Sequence, residues 1–243
     1  MKEKLTWFSA LPFGLALRLF LLYTVRRLLR LQTYFSYSEF AEDLIISHLS
    51  TKKGGRYVDV GCNEPLKFSN TFSMYLNGWR GINIDANREL IDKCKRIRKK
   101  DISICAAVSD SERETTFYKA KNSLISTIDE NYYSGDKNWW VTNLETKETV
   151  ITQKLTTILD KYLGVSEGID LLSVDVEGHD LNVLKGLEFS KYRPKIIAIE
   201  CREMQKINEN EIHQFLVNMD YELSAFAGLT GFYLDIKKKD SGV

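Results

Sequence analysis

Acidic and amide residues close the apolar runs of this chain at regular points. YVDVGCN carries Asp59, Gly61 and Asn63; GINIDAN carries Asp85 and Asn87; CAAVSD ends on Ser109 and Asp110. Further on, LLSVDVEGHD carries Asp175, Glu177 and His179, and IIAIE stops on Glu200. Such groups can accept protons, grip hydroxyls or cap the helix that follows. Capping explains any one of them as well as chemistry does. A polar group at the end of every run points instead to one shared site, because ligands of open α/β sheets bind beyond the carboxyl ends of the strands.

The spacing narrows the ligand. Asp85 lies 24 residues after Gly61. A carboxylate about 20 residues beyond the first glycine turn is where a ribose is held through its hydroxyls. A dinucleotide loop would need G-x-G-x-x-G for a pyrophosphate, and here Asn63 and Pro65 stand where further glycines would be. The loop suits a phosphate-free nucleoside with an amino-acid-like tail, and S-adenosylmethionine has both parts. A dehydrogenase, the rival nucleotide enzyme, fits the missing glycines poorly.

The elements that must position these residues alternate. RYVDVG, Trp79–Asp85, Ile102–Asp110, Ile169–Gly178 and Lys195–Glu200 are continuous apolar runs, the pattern of strands covered on both faces. Helical spacing falls between them: Phe35–Leu49 with Ser38 as N-cap, Ser69–Gly78 capped by Ser69 or Asn70, a helix from Asn87 with a basic last turn, and one near Asp180–Leu187. Tyr221–Ile236 reads as two strands around Gly228–Gly231, an antiparallel hairpin. The expectation is an α/β fold: a Rossmann-like sheet, mostly parallel, with a C-terminal antiparallel hairpin. Lys121–Glu145 shows no strong period and holds Tyr132, Tyr133, Trp139 and Trp140, as an acceptor-binding lid or as aromatics packed on the sheet.

These motifs together resemble the FkbM-type methyltransferases, which use S-adenosylmethionine, over about Tyr34–Ile236. SYSEFAEDLII resembles the family's opening motif, with Glu39 where glutamine is usual. VDVGCNEPLKFSNT is similar to its cofactor loop, with Glu64-Pro65 where glycine is commoner, and GWRGINIDAN to its ribose-binding strand. LLSVDVEGHDLNVLKGLEFSKYRPKIIAIE is the most specific stretch. The resemblance implies a seven-stranded sheet and O-methyl transfer to a hydroxyl, often of a sugar or glycolipid, as in polysaccharide biosynthesis. It implies that Asp59, Gly61, Asn63, Asp85 and Asn87 hold cofactor; Asn70, Ser109 and Asp110 join them as candidate contacts. A non-catalytic module that binds S-adenosylmethionine is the alternative from another class.

A sugar hydroxyl is a poor nucleophile, so a base helps. Asp175 is the candidate base or acceptor orienter, His179 the alternative base, and Glu177 lies beside them; helix capping is the bland role for Asp175 or Glu177. A divalent ion across Asp175, Glu177 and Glu200 is a subsidiary alternative, for which oxygen ligands favour Mg²⁺, and no residue is assigned as a metal ligand.

The 243 residues have 44% hydrophobic and 28% charged content and net charge +1, a composition that affords a core and predicts no nucleic-acid partner. Cys62, Cys94, Cys105 and Cys201 have no zinc spacing with His48, His179 or His213, so four free thiols in a reducing compartment are expected. Residues 1–33 separate from a methyltransferase domain at 34–243. Within Leu5–Leu31, the 19 residues Trp7–Val25 carry one charge, Arg18, then Arg26, Arg27 and Arg30 follow, and no small-x-small site suggests a cleaved signal. Three readings stay open: an amphipathic helix on a membrane surface anchored by Trp7 and Phe8, a single span with the domain on the cytoplasmic side, or a helix docked on the domain or a second subunit. The oligomeric state is left open.

Overall fold

The computed structural model describes residues 11–29, 34–50, 52–135, 137–164, 168–202 and 204–237. Trp7, Phe8 and Arg30, on which part of the N-terminal reading rests, lie outside the described residues.

A seven-stranded sheet carries the molecule. Its strands are β1 (Arg56–Val60), β2 (Arg80–Asp85), β3 (Ile102–Cys105), β7 (Leu171–Val174), β8 (Ile196–Glu200), β9 (Tyr221–Ala227) and β10 (Thr230–Asp235), ordered β3-β2-β1-β7-β8-β10-β9. The first five are parallel, while β10 runs antiparallel to both β8 and β9. The strand order reverses between β1 and β7, which makes their carboxyl ends the switch point. This is the mostly parallel sheet with an antiparallel C-terminal hairpin that the apolar runs predict.

The run Ile102–Asp110 is not one strand. β3 pairs with β2 only as far as Cys105 beside Asp85, where β2 ends. With no partner beyond that point the chain turns at Ala106, whose N–H donates to the Asp85 carbonyl at 2.9 Å. It resumes as β4 (Ala107–Ser109) in a second sheet with β5 (Glu114–Ala120) and β6 (Leu144–Lys154), in the order β4-β6-β5.

Helices cover both faces. α4 (Arg88–Ile97) starts where Asn87 accepts the Glu89 amide, and it buries Leu90, Ile91 and Cys94 while its basic residues face water. α7 (Leu155–Tyr162), α8 (Asp180–Lys185) and α9 (Glu211–Asn218) close a core of Val58, Val60, Ile82, Ile84, Leu172, Val174, Ile197 and Ile199. Each such side chain contributes about 1.5–3 kcal/mol when taken fully out of water. On the other face α2 (Glu42–Leu49) sets Ile46 against Tyr57, Trp79 and Phe232. Ser38 does not begin α2 directly. Ala41 occupies that place at φ 65°, and the Ser38 hydroxyl accepts the Asp43 amide at 3.1 Å. α3 (Phe72–Leu76) is stopped by Gly78 at φ 90°, a left-handed C-terminal position that suits glycine.

α1 (Phe13–Leu28) packs Ala16 and Leu19, with Leu11 just before it, on Phe72, Tyr75 and Leu76 of α3. Among the described residues no helix is long and apolar enough to cross a membrane. The stretch read as aperiodic contains a short 3₁₀ turn at Ser123–Ile125, then α5 (Glu130–Gly135) and α6 (Lys137–Asn143) before β6. All four cysteines are free, with the sulfurs of Cys62 and Cys94 4.0 Å apart.

Candidate active site

β1, β2 and β7 end side by side, and their ends open on a cleft that encloses about 60 Å³. Gly61, Asn63, Asp85, Asp175 and Glu177 line it, with Ala106 to Val108, Phe117 of β5 and Ser123 to Ile128 on the far side.

Gly61 is required by geometry. Its φ is +78°, and a Cβ there would stand 1.8 Å from the Asp175 carbonyl oxygen. The two strand ends can meet only because that atom is missing, which keeps the cleft floor low. Asn63 follows at φ 46°. Its amide donates to Asp85 Oδ2 at 3.0 Å and its side-chain oxygen accepts from Ser123 at 2.9 Å. Asp85 Oδ1 accepts the Asn87 amide at 2.7 Å. Two backbone amides therefore orient the Asp85 carboxylate from opposite sides, and each oxygen keeps a lone pair for a ligand hydroxyl. Loss of hydration raises its pKa to about 6, against the pull of those amides.

The other expected contacts sit elsewhere. Asp59 faces inward and accepts from the Thr71 hydroxyl at 2.5 Å. Thr71 in turn accepts from Arg98 at 2.8 Å, and fully buried Arg98 also bonds Asp101 at 2.9 Å and the Tyr57 hydroxyl. Asp59 thus belongs to a buried network that fastens β1 to α3 and α4, and desolvation raises its pKa. Asn70 donates to Ser173 at 3.3 Å, and Asn87 caps α4. Ser109 lies 2.8 Å from His179 Nε2 and donates to Asp110. These three form a side cluster behind α8, in which desolvation lowers the His179 pKa.

At the mouth, carboxylates crowd. Asp175, Asp180 and Glu200 each place a carboxylate oxygen within 4.8 Å of the other two. Asp175 shows an exposed edge to the cleft. It is nonetheless set deep enough that lost hydration, and then the charges of Asp180, Glu177 and Glu200, push its pKa well above the carboxylate range. Asp180 is buried and accepts the Val176 and Gly178 amides at 3.0 and 3.2 Å. Desolvation, then Glu200, raises its pKa to about 7. Among the described residues these three could hold a divalent ion. Glu177, the third ligand suggested by sequence, turns away and accepts from Tyr132 at 2.5 Å and Arg202 at 3.0 Å, so Asp180 stands in its place.

Sequence reasoning missed Asp180, which reads as the first residue of a helix, and Arg202, which bridges Glu177 and Glu200. An acid five residues after Asp175 was the available signal for the first; nothing linear signals the other. Tyr132, whose ring lies 5.0 Å from the Arg202 guanidinium, brings α5 over the site. Gly178, at φ +94°, leaves that ring room. Of the other lid aromatics, Tyr133 stacks on Tyr118 at 3.9 Å and Trp140 is buried with them, while Trp139 is 38% exposed.

The family model of the methyltransferase FkbM domain matches residues 59–223. No curated protein matches the chain. Among solved structures the chain is similar to methyltransferase FkbM from Methylobacillus flagellatus KT, at 12% identity and TM-score 0.48, over 77% of this chain and 45% of that one. It is also similar to a TehB-like SAM-dependent methyltransferase from Corynebacterium glutamicum ATCC 13032, at 12% identity and TM-score 0.39, over 88% and 95%. The chain spans 45% of the length of the first of these.

Proposed function

The chain belongs to the FkbM methyltransferase family, and from that membership we propose that it transfers a methyl group from S-adenosylmethionine to a hydroxyl of a sugar or lipid-linked glycan. The observation that carries the reading is the placement of Asp85 and Asp175 on one cleft, on either side of the Gly61 turn.

The residues present fit this cofactor. Asp85 offers a fixed carboxylate to ribose hydroxyls. Gly61 leaves the floor clear, and the loop has no glycine-rich cradle for a phosphate. Asn63 lies at the tail end of the same turn. When bound, the cofactor supplies an electrophilic methyl carbon.

The chain's own groups then handle the acceptor. Asp175 points into the cleft with a raised pKa, which makes it a stronger proton acceptor than a solvated aspartate. It takes the acceptor's hydroxyl proton as the oxygen becomes nucleophilic. Asp180 and Glu200 hold that basicity up by like charge. Tyr132, Glu177 and Arg202 tie α5 across the mouth, which limits water and sets the acceptor's approach. Alignment of oxygen and carbon within such a closed site supplies much of the rate.

Calorimetry of the full chain with S-adenosylhomocysteine, beside NAD, tests the cofactor. Micromolar binding that is lost in Asp85→Ala, with no binding of NAD, is expected. Equal affinity of Asp85→Ala and the parent chain would refute the ribose role.

A further inference from the structure

α1 divides sharply around its axis. At 3.6 residues per turn, Ala16, Leu19 and Tyr23 fall on one side, and Phe13, Leu17, Phe20, Leu21, Leu22, Val25 and Leu28 spread over the rest. The Ala16 side is packed on the domain, with Ala16 at 0% and Leu19 at 8% exposure. The opposite side faces outward, and Phe13 and Leu28 are both 76% exposed. Apart from Thr24, whose hydroxyl donates to the Phe20 carbonyl, this face carries no polar side chain, which is unusual for a surface in water. From Phe20 round to Val25 the outward arc has no charged residue inside it. Arg27 and Arg18, both exposed, stand at the two edges of this stretch, with exposed Leu22 beyond Arg18. Between Phe13 and Leu28 there is no aspartate or glutamate.

We propose that α1 is a membrane-surface anchor that lies in the plane of an anionic bilayer, with its outward arc in the acyl boundary and Arg18 and Arg27 at the lipid phosphates. Charge and shape select this occupant. The sixteen described residues make a helix about 24 Å long, shorter than the about 30 Å hydrocarbon core and long enough to lie along its surface. Arginines flanking an apolar arc on both sides match a plane of phosphates above acyl chains. A second copy of the same face would set Arg18 and Arg27 among the arginines of its partner, with no acid on the helix to answer them. The same apolar cluster includes Leu66, which belongs to the loop after β1. An anchored α1 therefore holds the loop that follows Gly61 and Asn63 near the lipid surface. That consequence rests on the proposed glycan-lipid acceptor; the anchor itself does not.

The test is co-sedimentation of the full chain with sucrose-loaded vesicles of phosphatidylcholine alone and with about 30% phosphatidylglycerol. Binding to the anionic vesicles is expected, weakened by high salt and by about fivefold for each of Arg18→Ala and Arg27→Ala. Leu17→Glu with Leu21→Glu should abolish it, while S-adenosylhomocysteine affinity and the circular dichroism spectrum stay unchanged. Both leucines are exposed, so folding does not depend on them. Three results would overturn the anchor: no binding to either vesicle, binding that survives the double substitution, or a concentration-dependent dimer that the double substitution dissolves without any vesicle binding.

Discussion

Gly61→Ala probes the point where sheet and site meet. The new Cβ would stand 1.8 Å from the Asp175 carbonyl oxygen, and ordinary contact begins at 3.4 Å, so the two strand ends must part by about 1.6 Å. That shift breaks the bond from the Asp175 amide to the Val60 carbonyl, now 3.0 Å, a loss of about 1 kcal/mol. Alanine at φ +78° adds about 1–2 kcal/mol of backbone strain. Residual crowding raises the total to roughly 3–4 kcal/mol, within the range for overpacked sites. Urea denaturation followed by circular dichroism measures it. The Asp175 carboxylate moves with its backbone, so turnover with a glycan acceptor should fall by more than about tenfold in the fraction that stays folded. A variant within about 0.5 kcal/mol of the parent, with unchanged turnover, would show that β1 and β7 do not meet as described and that the cleft floor is not set by this glycine.

Asp175→Asn should lower kcat by about 10²–10⁴-fold and leave S-adenosylhomocysteine affinity intact, and parent turnover should rise with pH through a pKa above the carboxylate range; unchanged kcat removes Asp175 from proton transfer. Arg98→Met should destabilise by about 3–5 kcal/mol, because it strands Asp101 and Asp59 in the interior, and a loss below about 1 kcal/mol in denaturation would contradict the buried network. Asp180 has its folded pKa raised to about 7, so the native state binds its proton more tightly than the unfolded chain does. Its stabilising contribution is full below about pH 4 and disappears as pH rises through 7, a span of about 4 kcal/mol at 1.36 kcal/mol per unit. Asp180→Asn should therefore be less stable than the parent at pH 5, by about 1 kcal/mol for one lost amide bond, and the more stable of the two by pH 8; a parent advantage that grows with pH would reverse the sign of the shift.

The architecture was legible because it rests on local rules. Continuous runs such as Val58–Val60 and Ile196–Ile199 can only be strands covered on both faces, Asn87 caps its helix as its type suggests, and Gly78 ends α3. The site was legible in part, since chain order brings strand ends to one edge whatever their side chains do. The split of Ile102–Asp110 was not legible, because it depends on where β2 stops, and β2 is distant in sequence.

Side-chain placement was the larger gap. Asp59 and Asp85 both lie near strand ends and look equivalent in sequence. The register sets Asp59 beside Asn83, two residues short of Asp85 and on the same face, so distance along the strand decides whether a carboxylate meets the interior or the cleft. Asp59 meets Thr71 and the Arg98 network, and Asp85 meets the cleft. Asp175, Asp180 and Glu200 converge from three places, and only packing could bring them within 4.8 Å. In α1 the sequence by itself determined an apolar helix with arginines and no acids. Which arc is buried was decided by Phe72 and Tyr75 of α3, because a helix has a periodicity of its own but no inside until another surface covers part of it.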